Sequence, residues 1–275
     1  MVQGIRYTKL SNKVKISYFE TGSPAGIPII LLHGLADSWH IFERLMHYLP
    51  KSMHIYAMTQ RGHGNSSRPD SGYGTRDFEG DLVMFMDSLN IEKAVILGAS
   101  SGGFPARSFA IHHPERTLAL VLLGSPATLQ GIPAVKQIWD SAISKLTDPV
   151  DMEFVEKFAM STLSRPIAQK FLEMTLQENL KLPARVWRDT TEGIMKEEFP
   201  GHLDEISSPT LIIWGDQDKF LTRKSQEDLA RVISGSRLVV QKNVGHMLFC
   251  ENPKGIASDI ATFIDEIQNK GMSVI

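Results

Sequence analysis

Cysteine is nearly absent and long apolar runs are missing, and each lack removes a class of protein. Cys250 is the one cysteine in 275 residues. No disulfide can form within the chain, an oxidising compartment is not implied, and the cytoplasm is the expected location. Apolar runs stop at strand length, far short of the roughly 20 residues that span a bilayer. The opening MVQGIRYTKLSNKVKI has no apolar stretch of the kind a secretory leader needs. Neither a leader nor a membrane partner is therefore expected. Charge of one sign is lacking too. Lys and Arg number 29 against 31 Asp and Glu, a formal net charge of -2, which gives no ground for a nucleic-acid partner. Metal-ligand spacing is also missing. His112 and His113 are adjacent and so do not share a helix face, and no other His, Cys or carboxylate pair has zinc-site spacing. No metal and no cofactor is expected.

Short apolar runs do recur, at a regular beat. Residues 13–20 (KVKISYFE), 28–32 (PIILL), 53–58 (MHIYAM), 93–97 (KAVIL) and 117–123 (TLALVLL) read as strands, as do TLIIWG and RLVVQ after Pro209. Helical stripes lie between them. Ser38 is a plausible N-cap for Trp39, Phe42, Leu45, Met46 and Leu49; Phe78, Leu82, Phe85, Met86 and Leu89 mark a helix over 77–89; Ile256, Ile260, Phe263, Ile264 and Ile267 mark the last one. Strand and helix in alternation predict an α/β fold, a mainly parallel twisted sheet with helices on both faces. From 127 to 205 the beat stops. Helical stretches succeed one another there, punctuated by Pro149, Pro166, Pro183 and Pro200. The expected organisation is a core of residues 1–126 and 206–275, with a helical insertion over 127–205.

The most informative stretch is ILGASSGG. It holds Gly98-Ala99-Ser100-Ser101-Gly102, a G-x-S-x-G pattern directly after a strand and before a helix. A nucleophile on so sharp a turn needs small residues two positions away on either side. Ser100 has glycine at both, whereas Ser101 has Ala99 before it, so Ser100 is the expected nucleophile. The amide of Ser101 then sits at a helix start, suited to a developing oxyanion.

A serine hydroxyl is a poor nucleophile until a base takes its proton. Of nine histidines, His246 lies in a loop (NVGHMLFCENP) between a strand and the final helix, with Gly245 freeing the backbone beside it. His63 also sits in a loop at this end of the sheet and reads as a packing residue. The orienting carboxylate comes from WGDQDKF, which offers Asp216 and Asp218. Asp218 lies farther past the strand end, and Asp216 suits organisation of the turn. A second oxyanion donor is expected from the Leu35 amide in His33-Gly34-Leu35, where the backbone leaves the strand PIILL.

With these residues in place the chain resembles the α/β-hydrolase fold superfamily, in its serine-nucleophile branch of esterases, C–C bond hydrolases, lactonases and metal-free haloperoxidases. LLHGLADSW resembles its oxyanion motif, LGASSGG its elbow, WGDQDKF its acid loop, VGHMLFCENP its histidine loop, and Arg61-Gly62-His63-Gly64-Asn65-Ser66 its R-G-x-G-x-S loop. The resemblance implies the order Ser100, Asp218, His246, and a cap over the active site at 127–205. Thr59 stands where the family usually has aspartate, and Met247 where many C–C hydrolases have tryptophan. Serine at the nucleophile position disfavours epoxide hydrolases and haloalkane dehalogenases. The expected activity is hydrolysis of a carboxylic ester in a small to medium, mainly apolar small-molecule substrate. A C–C hydrolase or lactonase on the same triad is the alternative, and a ligand-binding or signalling protein with vestigial turnover is the alternative of another class. Trp139, Phe154, Phe158, Met160, Phe171, Met174, Trp187 and Met195 are candidates to make the pocket apolar, although helix packing explains most of them. Arg165, Arg185 and Arg188 fit solvated surface better than a carboxylate site.

Overall fold

Strands form where the apolar runs lie, and hydrogen bonding joins them into a single sheet. The computed structural model describes residues 1–197 and 199–272. Residue 198 of the expected insertion and residues 273–275 of the expected core lie outside them. The eight strands are β1 (Val2–Lys9), β2 (Lys15–Gly22), β3 (Pro28–Leu32), β4 (His54–Thr59), β5 (Ala94–Ala99), β6 (Thr117–Leu123), β7 (Thr210–Gly215) and β8 (Arg237–Gln241). Their order is β1-β2-β4-β3-β5-β6-β7-β8. β1 and β2 pair antiparallel, as do β2 and β4; every other pair is parallel. The expectation of a mainly parallel α/β sheet is met. β1 is an addition to it. Its residues are exposed or half-buried along its whole length, so VQGIRYTK carries no one-faced apolar pattern to read.

Helices cover both faces. α1 (Glu43–Tyr48) and α10 (Pro253–Met272) pack on one, and α2 (Thr75–Ser88), α3 (Gly103–His112) and α8 (Arg223–Val232) on the other. β3 shows the two-residue period of a strand buried on both sides. Ile29 and Leu31 enter one core cluster, Ile30 and Leu32 the other. Ser38 caps a short 3-10 turn, Trp39–Phe42, that precedes α1 rather than α1 itself. Between β6 and β7 lie α4 (Pro133–Ser141), α5 (Met152–Ser161), α6 (Gln169–Leu180) and α7 (Ala184–Met195). These join the core through a third apolar cluster, in which Val155, Val186 and Trp187 meet Ala36, Tyr73 and Phe78. α9 (Leu248–Glu251) is a single turn after the histidine loop. Among the described residues no helix is long and apolar enough to cross a membrane.

Candidate active site

Register places the site. Leu32 of β3 pairs with Gly98 of β5, so the two central strands leave the sheet side by side, one into His33-Gly34 and the other into Ala99-Ser100. Ser100 has φ +50°, the left-handed conformation that strains any residue with a side chain. The flanking glycines relieve crowding. A Cβ on Gly98 would stand 2.5 Å from the Gly102 carbonyl oxygen, and one on Gly102 would stand 2.3 Å from that of Leu32. Ser100–Gly102 form a 3-10 turn that runs straight into α3.

The acid and histidine loops extend from neighbouring strands, β7 and β8, which pair at Gly215 and Gln241. The Ser100 hydroxyl donates to His246 Nε2 at 2.9 Å, and His246 Nδ1–H donates to Asp218 Oδ2 at 2.8 Å. A carboxylate only accepts, so the proton on Nδ1 is assigned by its partner, which leaves Nε2 as the acceptor. The other Asp218 oxygen accepts from the amides of Phe220 and Leu221, at 2.8 and 3.0 Å. Asp218 is buried, and His246 nearly so. Asp216 turns the other way and accepts from the Asn243 amide at 2.7 Å. The geometry brings together three residues drawn from loops 146 positions apart.

The loop after β3 is braced by its own histidine. The Gln60 amide donates to His33 Nε2 at 3.0 Å, and His33 Nδ1–H donates to the Gly34 carbonyl at 2.8 Å. Burial holds the His33 imidazole well below its ordinary pKa, with the neighbouring His63 adding to the shift, so the ring is neutral and its hydrogen-bond pattern fixed. A Cβ on Gly34 would lie 3.3 Å from Ser100 Cβ; glycine lets the loop pass this close to Ser100.

A cavity of about 130 Å³ opens over Ser100 and His246. Its lining is mainly apolar, with Leu35 and Ser101 beside Ser100 and Ile138, Ile143, Phe158 and Leu172 from the inserted helices. The chain matches the family model described as the alpha/beta hydrolase fold over residues 27–253. The chain belongs to the α/β-hydrolase fold family.

The hydrolase shares 24% identity over 285 residues with a monoacylglycerol lipase of Bos taurus, a match covering 96% of this chain and 83% of that one. An AB hydrolase superfamily protein of Bacillus subtilis (strain 168) is 30% identical over 274 residues, with 94% and 98% covered. The solved structure of a hydrolase from Pseudomonas aeruginosa PA01 superposes with a TM-score of 0.86 at 23% identity, with 95% and 98% covered; that likeness speaks for the fold.

Several expected contributors to the hydrolase's pocket lie elsewhere. Of the eight large side chains that were candidates, Phe158 lines the cavity. Phe154 and Trp187 pack in the cluster that joins the inserted helices to the core, Phe171 packs in a sheet-face cluster, and Met160 is exposed. Aliphatic residues fill their place. The arginines are tied to carbonyls: Arg165 to that of Glu251, Arg185 to those of Pro69 and Asp70, Arg188 to that of Leu146. His63 is buried outside the main cavity and donates from Nδ1 to the Arg61 carbonyl; burial lowers its pKa to about 4. Polar lining residues went unread in the sequence, an acid and an amide among them. Asp37 and Asn179 reach the cavity, and burial pushes the Asp37 carboxyl up to about 7, against the pull of Asn179 and of His246. LLHGLADSW displayed the aspartate, but nothing local marks it as facing the pocket.

Proposed function

We propose that the hydrolase cleaves a carboxylic ester of a small to medium, mainly apolar substrate through an acyl-enzyme on Ser100. Ser100 Oγ attacks the carbonyl carbon while His246 Nε2 takes its proton. The Leu35 and Ser101 amides hold the oxyanion, and Asp218 keeps the imidazole oriented and stabilises its charged form. The tetrahedral adduct collapses, the C–O bond to the alcohol breaks, and His246 hands its proton to the departing oxygen. A water deprotonated by the same imidazole then attacks the acyl-enzyme. The acid leaves, and the proton returns to Ser100. The Ser100 proton leaves on the alcohol and one from water replaces it, both by way of His246, so the cycle needs no cofactor. Residues 127–205 act as the cap that shapes the acyl pocket.

The observation that carries this reading is the continuous hydrogen-bond chain Ser100–His246–Asp218 opening onto a mainly apolar cavity. The test is initial rates on p-nitrophenyl esters of increasing acyl length, with wild type and Ser100→Ala side by side. Turnover by wild type and a loss of about 10³-fold or more in the variant is the expected result. Equal rates in the two proteins overturn the serine mechanism. No turnover by either moves lactones and C–C substrates to the front.

A further inference from the structure

One corner of the apolar cavity is polar. Asp37 and Asn179 line it and are both buried in the folded chain. A point 3.3 Å from Ser100 Cβ, where a Gly34 Cβ would sit, lies 3.4 Å from Asp37 Oδ2. The carboxyl therefore stands beside the nucleophile, across the open face of Gly34.

The orientation of Asn179 is fixed by its partners. Its Nδ2 donates to the Ala36 carbonyl at 2.9 Å and to Asp37 Oδ1 at 3.4 Å. A carbonyl can only accept, so the amide nitrogen has to face it. Both amide hydrogens are thereby committed. With Asp37 ionised, what remains on the pair are acceptors, Asn179 Oδ1 and Asp37 Oδ2, and among the described residues no group donates to either. An acceptor covered without a donor loses its hydration and gains nothing in return. A substrate that brings donors to this corner gains there, and one that brings carbon leaves two oxygens unpaired.

The chemistry of the pair selects the donor. With its pKa near 7, Asp37 is partly protonated at neutral pH. A hydroxyl suits both forms, since it donates to the carboxylate and accepts from the carboxyl; an ammonium group does only the first. Two free acceptors match two hydroxyls. The corner is also close to the group that serves the leaving oxygen. His246 protonates the leaving oxygen, and the charge of His246 acts directly on Asp37.

We propose that Asp37 and Asn179 form an alcohol-side subsite for a hydroxyl-bearing leaving group of the glycerol type, with the acyl chain in the apolar remainder of the cavity. This rests on the ester-hydrolase reading and adds the class of alcohol to it.

The experiment compares kcat/KM for a glyceryl monoester and for the n-propyl ester of the same acyl chain, in wild type, Asp37→Leu and Asn179→Leu. Wild type is expected to favour the glyceryl ester by about 10-fold or more, because its buried acceptors stay unpaired against propyl. In both variants the ratio is expected to fall toward one. A purely structural role for the pair would slow both esters alike and leave the ratio intact, and that result overturns the proposal. So does a wild-type ratio of one, which needs no variant to fold. Preference for the choline ester of the same acid over the glyceryl ester overturns it in favour of a cation site. If wild type hydrolyses p-nitrophenyl esters and shows no glyceryl preference, the subsite alone fails. If it hydrolyses no ester, the ester-hydrolase reading falls with it.

Discussion

An acid among apolar side chains has a consequence for stability that is separate from catalysis. The folded chain raises the Asp37 carboxyl from its ordinary 3.8 to about 7, chiefly by burial. The protonated form is the one that suits the fold. Its favourable contribution is full below about 3.8 and is lost as pH rises through about 7. Asp37→Asn, neutral at every pH, is therefore expected to melt above wild type, with a gap that widens from pH 5 to pH 7 and levels off by pH 8. A gap of about 5 °C at pH 8 is the expected scale. His63 works in the opposite sense. Its pKa is lowered from 6.5 to about 4, so its contribution is present above 6.5 and lost as pH falls through 4. Both proteins carry His63, so the difference between their melting curves isolates Asp37. A gap that does not change with pH would contradict the assigned ionisation.

At the scale of elements, the histidine loop is held from both sides by the inserted segment. Glu251 on α9 accepts from the Gly245 amide at 2.9 Å, the Ser164 amide at 2.8 Å and the Ser164 hydroxyl at 2.5 Å. The Met247 amide donates to the Thr162 carbonyl at 3.2 Å. Met247 is thus tied to the chain after α5 directly, and Gly245 through Glu251. One carboxylate answers three donors here, and an amide in its place would turn a fourth donor on them. Glu251→Gln is expected to lower kcat by about 10-fold with a smaller change in KM, as loosened positioning of the base slows chemistry more than binding. Steady-state rates, read beside a melting curve, check this. A rise in KM alone would assign Glu251 to the pocket wall instead. The elbow belongs to this scale too. G-x-S-x-G between a strand and a helix was enough to locate Ser100, because its crowding is local: Gly98 and Gly102 touch backbone within the same turn and the adjoining strand.

At the scale of the whole molecule, the inserted helices are joined to the core by a buried aromatic. Trp187 on α7 is fully buried, with Phe154 and Phe158 of α5 edge-on at 5.3 and 5.0 Å. Ala36, Tyr73 and Phe78 complete the cluster from the core side. Trp187→Ala removes the centre of that contact and is expected to cost about 3–5 kcal/mol. Thermal unfolding about 10 °C below wild type is the corresponding shift. The proposed ester hydrolysis should fall before the sheet unfolds, because Phe158 both leans on Trp187 and lines the cavity. Coincident loss of activity and of secondary structure on heating would refute that ordering.

The sequence by itself determined most of the sheet and its helices and pointed to the proposed reacting groups, since each is written locally. A strand buried on both faces is an apolar run, an elbow is a glycine pattern, and the acid and base sit in loops just past strand ends. β1 escaped because neither of its faces is buried enough to impose a pattern. The tertiary structure alone decided what surrounds the serine. An amphipathic helix of the insertion shows in sequence that one side is apolar, but not whether that side meets the core or the cavity. The large aromatics went to the joint with the core, and aliphatic residues went to the pocket. Asp37 and Asn179 stand 142 positions apart. Only the packing of α6 against the loop after β3 brings them together, and only that packing strips the water that would otherwise have hidden their chemistry.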